Sequence, residues 1–367
     1  MTDFCVDHLI PDHIAAFEPY IPSKPDSELA KLYQCDRILR LNNNENPLGP
    51  PSEARKILEQ FPPAKAAVYP SGDAWHLRQK LAQKYDKDPD QFIVGNGANE
   101  LISFVIKAFC QEGDNIITAD KTFAVYEWVA KFSGFEARLI PLKDFGFDPE
   151  GMLDAIDRRT KILFVCNPNN PTGTYWNETE FRAFMSAVNG EKIVVLDEAY
   201  FEFVEKEDYP DGMRLMTEYP NLVVFRTFSK MYGLAGLRIG YLAGSHGVVD
   251  VIRKTCVVYS VNTIAQDAAL KAIDDEEHIL RTRCCIALAR TYLKTELTRL
   301  SLPYVMGEAS YVMIKLPMSD SLAYRKLMGK GIMIRSMTGF RFPNYIRVSL
   351  SKMKMMEAFI KAVSEIL

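Results

Sequence analysis

Residues 192 to 200 read Lys-Ile-Val-Val-Leu-Asp-Glu-Ala-Tyr, and this stretch decides the fold. The four apolar residues from Ile193 to Leu196 are typical of a short strand that is buried on both faces of a sheet. Two acidic residues, Asp197 and Glu198, follow at once. Because ligands bind at the carboxyl ends of parallel strands, the stretch predicts a parallel sheet with a polar site at its edge.

Similar apolar runs occur on both sides of this stretch. They lie at 92–94, 115–119, 161–165, 222–226 and 238–243, and helical patterns such as 75–85 and 98–110 alternate with them. Strands that alternate with helices predict an α/β domain whose sheet is mostly parallel and covered by helices on both faces.

The pattern changes toward the C-terminus. A long helix-prone stretch, 275–300, is followed by strand patterns at 311–315, 332–335 and 345–350 and by a helix to Leu367. This order predicts a smaller α+β domain. We therefore expect three parts: an N-terminal arm with part of the small domain at 1–45, a large domain at 46–275 and the rest of the small domain at 276–367.

Composition excludes several classes of protein. A formal charge of -3 over 367 residues provides no broad basic face for nucleic acid. We find neither a signal peptide nor an apolar run long enough to cross a membrane, and we expect a cytoplasmic protein. Seven cysteines without a C-x-x-C motif favour free thiols over disulfides or a metal site.

Three segments at predicted strand ends carry polar chemistry. The first is the turn Asn167-Pro-Asn-Asn-Pro-Thr-Gly173, which presents amide side chains. The second is Asp197 to Tyr200, whose partly buried carboxylate requires a cationic or protonated partner. The third is Thr227-Phe-Ser-Lys230 with the glycine-rich 233–238 after it, which combines a nucleophilic amine with groups that suit a phosphate.

In this order, the segments resemble the class I and II aminotransferases of fold type I, which use pyridoxal 5'-phosphate (PLP). The histidinol-phosphate aminotransferase branch is more similar still. Further matching stretches are Asn44-Glu-Asn-Pro-Leu-Gly-Pro50, Gly95-Asn-Gly-Ala-Asn-Glu100 and Ile346-Arg347-Val348. The resemblance implies an aspartate-aminotransferase-like fold with a seven-stranded sheet, a homodimer and a role in amino-acid biosynthesis.

The resemblance also implies roles in cofactor binding. Lys230 would carry PLP as a Schiff base and shuttle the substrate proton, while Asp197 would keep the pyridine nitrogen protonated. Asn170 and Tyr200 would bind the phenolic oxygen, and Phe123 would stack on the ring. The implied phosphate ligands are Gly97, Ala98, Asn99, Thr227, Ser229, Arg238 and, from a second subunit, Tyr69.

For the substrate, the resemblance implies two anion sites. Arg347 would hold the α-carboxylate, and Arg335 with Tyr20 would hold a remote phosphate, while Asn46 is a further candidate. The expected reaction is ping-pong transfer of an amino group between histidinol phosphate or imidazole-acetol-phosphate and 2-oxoglutarate. Arg341 is an additional charge that would either bind a second anion or lie in a solvated loop.

Two other enzyme functions and one binding function stay open. A transaminase for aromatic or other amino acids and a decarboxylase of the threonine-phosphate type would use the same residues. Val257 to Asn262 and Ser310 differ from the branch's usual pattern near the expected pocket. A non-catalytic PLP-binding protein is the remaining alternative, although it would not need a residue that moves protons.

Overall fold

The computed structural model describes residues 6–18 and 24–367. Tyr20, a predicted substrate residue, lies outside the described residues. The strands are β1 (Leu39–Arg40), β2 (Phe92–Gly95), β3 (Asn115–Ala119), β4 (Glu136–Ile140), β5 (Thr160–Cys166), β6 (Ile193–Asp197), β7 (Leu222–Thr227), β8 (Gly240–Ala243), β9 (Tyr304–Val305), β10 (Tyr311–Lys315), β11 (Ile332–Met333), β12 (Arg335–Ser336) and β13 (Tyr345–Ser349).

The helices alternate with these strands through most of the chain. They are α1 (Asp12–Ala15), α2 (Asp26–Tyr33), α3 (Ser52–Glu59), α4 (Trp75–Tyr85), α5 (Ala98–Phe109), α6 (Val125–Phe132), α7 (Pro149–Asp154), α8 (Glu178–Val188), α9 (Gly212–Leu215), α10 (His246–Arg253), α11 (Thr263–Ala272), α12 (Glu276–Arg299), α13 (Asp320–Met328) and α14 (Met353–Ile366). Short 3-10 turns link several of them.

The large sheet has seven strands in the order β2-β8-β7-β6-β5-β3-β4. Its pairs are parallel except those of β8, which is antiparallel to both neighbours. The predicted fold class is confirmed. The prediction missed β4, whose residues are exposed or half-buried and therefore lack an apolar run. It also began β8 too early, because Arg238 has a left-handed backbone, with φ 57°.

The small domain is built on a four-stranded antiparallel sheet, β12-β13-β10-β9. The single strand predicted at 332–335 is wrong in one respect, since β11 and β12 belong to different sheets. β11 pairs with β1, which connects the N-terminal segment to the C-terminal part of the chain. The exact domain limits at residues 45 and 275 stay a prediction.

Burial explains why β5, β6 and β7 lie at the centre of the large sheet. From Ile162 to Cys166 and from Val194 to Asp197 every residue is buried, and so is the whole of β7. Helices cover these strands, and their apolar side chains join one continuous core. The polar residues that end β6 and β7 are therefore held at fixed positions by packed strands.

Candidate active site

A cavity of about 370 Å³ lies at the carboxyl edge of the large sheet. Ten of the residues predicted from the sequence line it together: Ala98, Asn99, Phe123, Asn170, Asp197, Tyr200, Thr227, Ser229, Lys230 and Arg238. They come from α5, from the starts of loops after β5, β6 and β7, and from the segment before α6. The parallel strands thus gather residues that are far apart in the sequence, as the edge of such a sheet is expected to do.

Lys230 lies within this cavity, three residues after the end of β7. Its Nζ donates a hydrogen bond to the main-chain oxygen of Asn43, at 2.8 Å. The pKa of this amine is lowered to about 8, mainly by burial and also by the positive charge of Arg347, while Glu45 acts in the opposite direction. A larger fraction of the amine is therefore neutral near pH 7 than for an ordinary lysine, as a nucleophilic amine requires.

Asp197 is the last residue of β6 and is buried, with 3% of its surface exposed. Its carboxylate accepts hydrogen bonds from the Tyr126 hydroxyl, at 2.5 Å, and from the main-chain N–H of Ala199, at 3.1 Å. No lysine or arginine of the described residues forms an ion pair with it. Burial raises its pKa, although both hydrogen bonds oppose the rise. A protonated or cationic ligand would offset the free-energy cost of burying this ionised carboxylate.

The other end of the cavity has the features of an anion site. Gly97 precedes α5 with φ 80°, and a Cβ atom at this position would lie 2.3 Å from a guanidinium nitrogen of Arg238. The absence of a side chain thus lets Arg238 approach the first turn of α5, where main-chain N–H groups have no acceptor within the helix. The hydroxyl-bearing residues Thr227 and Ser229 line the same cavity.

The Tyr200 hydroxyl is held at the back of the cavity by the segment before α3. It accepts a hydrogen bond from the side-chain amide of Asn44, at 2.8 Å. Burial raises the pKa of Tyr200 to about 12, so the phenol is neutral and able to donate a proton. Asn170 accepts a hydrogen bond from Arg347, which links the cavity to the small domain.

Arg347 and Arg335 stand directly opposite each other on β13 and β12. Arg347 is buried, with one nitrogen bonded to the main-chain oxygen of Asn42 at 2.9 Å. Its Nε is a buried donor with no hydrogen-bond partner among the described residues. Arg335 lines a neighbouring cavity of about 700 Å³, whose lining contains no acidic residue among those described, and Asn43 lines both cavities. Neither Arg335 nor Arg347 forms an ion pair with an acidic side chain of the described residues, so the pair presents two positive charges without a counter-charge.

Comparison with known proteins assigns this geometry to a family. The family described as aminotransferase class I and II matches residues 36–363. The chain belongs to this family. A histidinol-phosphate aminotransferase of Caldicellulosiruptor saccharolyticus is 36% identical over 96% of this chain and 99% of the relative. Histidinol-phosphate aminotransferase 2 of Carboxydothermus hydrogenoformans is 38% identical over 95% and 97%, respectively. The predicted resemblance is confirmed.

Solved structures of class I and II aminotransferases share the fold. A histidinol-phosphate aminotransferase of Sinorhizobium meliloti in complex with pyridoxal-5'-phosphate superposes with a TM-score of 0.87, covers 97% of both chains and is 24% identical. An aspartate aminotransferase mutant of Thermus thermophilus gives a TM-score of 0.82 at 22% identity, over 98% of this chain and 99% of that one. At these identities the likeness shows the fold.

This aminotransferase site fits PLP by the chemistry of its donors. The buried carboxylate of Asp197, which has no cationic partner among the described residues, suits the pyridinium N–H of the cofactor, and the Arg238 guanidinium beside Gly97 suits its phosphate. Phe123, which is half-buried, lines the same cavity with an aromatic side chain. The chemistry of these residues therefore fits a ligand with a protonated ring nitrogen and a phosphate.

Two further predicted site residues, Asn46 and Tyr69, are not among the residues that line this cavity. Asn46 donates a hydrogen bond to the main-chain oxygen of Met231, at 2.6 Å, next to Lys230 in the chain. Tyr69 is 80% exposed and stacks on Tyr259, with ring centres 5.0 Å apart. Tyr20 lies outside the described residues. Their predicted roles stay predictions.

Sequence reasoning missed other residues of the site. The cavity is also lined by Asn43, Glu45, Cys166 and Ala199. Tyr126 is outside the lining and donates a hydrogen bond from its hydroxyl to Asp197. Asn43 directly precedes the stretch 44–50 and Glu45 lies within it, but the sequence does not show which side chains of this segment face inward. Asn44 has φ 57°, a left-handed conformation that no residue pattern there signals.

Two kinds of feature are missing from the described residues. They contain no helix that is long and apolar enough to cross a membrane. They also contain no cluster of three or more histidine, cysteine or acidic residues that is arranged to hold a metal ion.

Proposed function

We propose that this aminotransferase binds PLP in the cavity at Lys230 and reversibly transfers an amino group from glutamate to imidazole-acetol-phosphate. The products of this transfer are 2-oxoglutarate and histidinol phosphate. The observation that carries the proposal is the convergence of Lys230, Asp197 and Arg238 on one cavity. PLP supplies an electron sink that stabilises negative charge at the carbon bearing the amino group. The names and identities of the relatives support the choice of substrate.

The protein's own residues would divide the work. Lys230, with its lowered pKa, would accept and return the proton of the reacting carbon. Asp197 would hold a proton on the pyridine nitrogen, while Tyr200 and Asn170 would hydrogen-bond the phenolic oxygen. The phosphate would be held by the first turn of α5 at Gly97, Ala98 and Asn99 and by Thr227, Ser229 and Arg238.

The opposed arginines support a substrate with two negative charges. A ping-pong enzyme must bind both of its substrates in turn at one site. Glutamate brings two carboxylates, and a phosphate ester carries a charge of about -1.5 to -2 at pH 7. Arg347, whose Nε lacks a partner among the described residues, would hold the α-carboxylate, and Arg335 with Tyr20 would hold the remote anion.

We also propose a homodimer in which Tyr69 reaches the cofactor phosphate of the second subunit. Tyr69 is exposed together with Val257, Val258 and Tyr259, which form an apolar surface near it. Sedimentation analysis would test this proposal. A monomer at micromolar concentration that retains full activity would contradict it. A cytoplasmic location stays a prediction.

The absorbance of the PLP-loaded protein tests the proposed reaction. Glutamate should convert the spectrum to that of the aminated cofactor, and imidazole-acetol-phosphate should restore it. The spectrum of Lys230→Ala should change much more slowly than that of the unaltered protein. Other keto acids serve as controls. Release of carbon dioxide without conversion by glutamate would favour a decarboxylase, and restoration by aromatic keto acids alone would change the substrate.

A further inference from the structure

One aromatic ring contacts both substrate arginines. The centre of the Phe340 ring lies 5.7 Å from the guanidinium carbon of Arg335 and 5.7 Å from that of Arg347. Like charges that are directly opposite on antiparallel strands repel each other. A ring that attracts both guanidinium groups offsets part of this repulsion and restricts where each group can lie.

The residue after Phe340 ties this ring to the large domain. Arg341 donates hydrogen bonds to both carboxylate oxygens of Glu127, at 3.0 and 2.9 Å, and to the main-chain oxygen of Asp120. Glu127 lies on α6 and is only 7% exposed. Arg341 was expected either to bind a second anion or to lie in a solvated loop; its side chain is 46% exposed, and its guanidinium also forms these bonds to the large domain.

The backbone of Arg341 has an uncommon conformation. Arg341 has φ 61° and ψ 26°, a left-handed conformation that a side chain with a Cβ atom rarely adopts. Such a conformation persists only where the surrounding contacts hold it. Two contacts are present here: the main-chain N–H of Arg341 donates to the main-chain oxygen of Thr338 at 2.9 Å, and Nη2 donates to both carboxylate oxygens of Glu127, 214 residues away in sequence.

The same contact brings the loop against the catalytic cavity. Gly339, Phe340 and Arg341 enclose a small cavity of about 90 Å³ together with Phe123 and Ala124, which precede α6. Phe123 also lines the cavity that contains Lys230. Anchoring the loop at Glu127 therefore fixes Phe340 relative to the reacting centre as well as to the two arginines.

We propose that Arg341 is a positioning residue for substrate binding, which holds Phe340 against Arg335 and Arg347 and so fixes the distance between the two anion sites. This inference rests on the proposed roles of the two arginines. Its consequence is selectivity for length: a dicarboxylate that matches the fixed distance binds, and a shorter one loses one of its two contacts.

Dissociation constants of two unreactive dicarboxylates, glutarate and succinate, test the inference by calorimetry on PLP-loaded protein. They differ by one methylene group, and neither carries an amino group. The variants are Arg341→Gly, which removes the contact and suits the left-handed backbone, and Phe340→Leu. The matched control is Asn344→Gly, because Asn344 lies in the same loop with φ 66° but makes no side-chain bond to Glu127.

We expect the unaltered protein to prefer glutarate. In Arg341→Gly and Phe340→Leu the ratio of the two constants should fall about tenfold toward one. Asn344→Gly should keep the ratio. Arg341→Lys should keep part of the preference, since lysine retains a charge opposite Glu127 but loses the second donor, which binds the main-chain oxygen of Asp120. With glutamate as substrate, KM should rise and kcat should change little.

Two results overturn the inference while the proposed function stands. The first is that the unaltered protein binds both dicarboxylates without preference. The second is that Arg341→Gly and Phe340→Leu keep the full preference for glutarate. Glu127→Gln removes the same contact from α6 and decides the case if Arg341→Gly fails to fold. If the unaltered protein binds neither dicarboxylate but transfers amino groups, the anion-site roles and this inference both fail. If it does neither, the proposed function fails too.

Discussion

The cofactor cavity and the arginine pair are built in different ways. The cavity takes most of its residues from the ends of β5, β6 and β7 and from the loops that follow them, where packed strands fix the start of each loop. The arginine pair depends on the register between β12 and β13 and on a loop that is fastened to α6. The first arrangement follows from local sequence and sheet topology. The second depends on contacts between distant segments, so substrate choice is the part of the site more open to change.

Lys230→Ala gives the largest expected effect and tests the cofactor cavity. Loss of the amine should lower kcat by about 10⁴-fold, the upper range for a proton-transfer residue. Steady-state kinetics would measure the loss, and circular dichroism would confirm the fold. A small amine added to the solution should restore part of the rate, because it replaces the missing base. A variant that keeps more than a tenth of the rate would show that another residue moves the proton.

Arg347→Gln tests the arginine pair and should act mainly on binding. Loss of a buried charge-assisted contact costs about 2 to 5 kcal/mol, so the KM for glutamate should rise about 30-fold or more. Arg335→Gln should raise it less, since Arg335 is only half-buried. Equal changes for both variants, or a change in kcat alone, would contradict the assigned roles.

Asp197→Asn should have opposite effects with and without the cofactor. Burial raises the pKa of Asp197, so the cofactor-free protein loses stability as pH rises from the ordinary carboxyl pKa of 3.8 to the raised pKa of the folded state. The neutral variant should therefore be more stable without PLP at neutral pH, by about 1 to 3 kcal/mol, yet bind PLP more weakly. Thermal unfolding at acidic and neutral pH would measure this. A stability gain that does not increase with pH would contradict the explanation.

The titration of Lys230 gives the smallest expected effect. The rate at which PLP attaches to cofactor-free protein should rise with pH, with a midpoint near the lysine pKa of about 8, because the neutral amine is the reactive form. Arg347→Gln removes a positive neighbour, so the midpoint should move to higher pH. Asn344→Gly should not move it. A midpoint near 10.5 in the unaltered protein would show that burial does not lower this pKa.

The sequence predicted the large sheet and most of the cofactor cavity because both follow from local patterns. Apolar runs marked β5, β6 and β7, and the polar residues directly after them lie where the topology predicts. The edge strand β4 was missed, since its half-buried residues show no apolar run. Left-handed residues such as Asn44 were also invisible, because their conformation is held by distant contacts.

The pairing of Arg335 with Arg347 and the engagement of Arg341 by Glu127 were beyond sequence reasoning. Each joins residues whose relation is set by strand register or by contact between domains. A one-residue shift of β12 would move Arg335 to the opposite face of the sheet. Nothing in the composition of that stretch determines the register by itself.

Reductive trapping tests the central claim most directly. The PLP-loaded protein would be treated with sodium borohydride, digested and examined by peptide mass spectrometry to locate the modified lysine. We predict one added pyridoxyl phosphate per chain, on the peptide that contains Lys230, and none in Lys230→Ala. Modification of another lysine with Lys230 unmodified, or no modification while the protein remains active, would contradict the assignment of this cavity as the cofactor site.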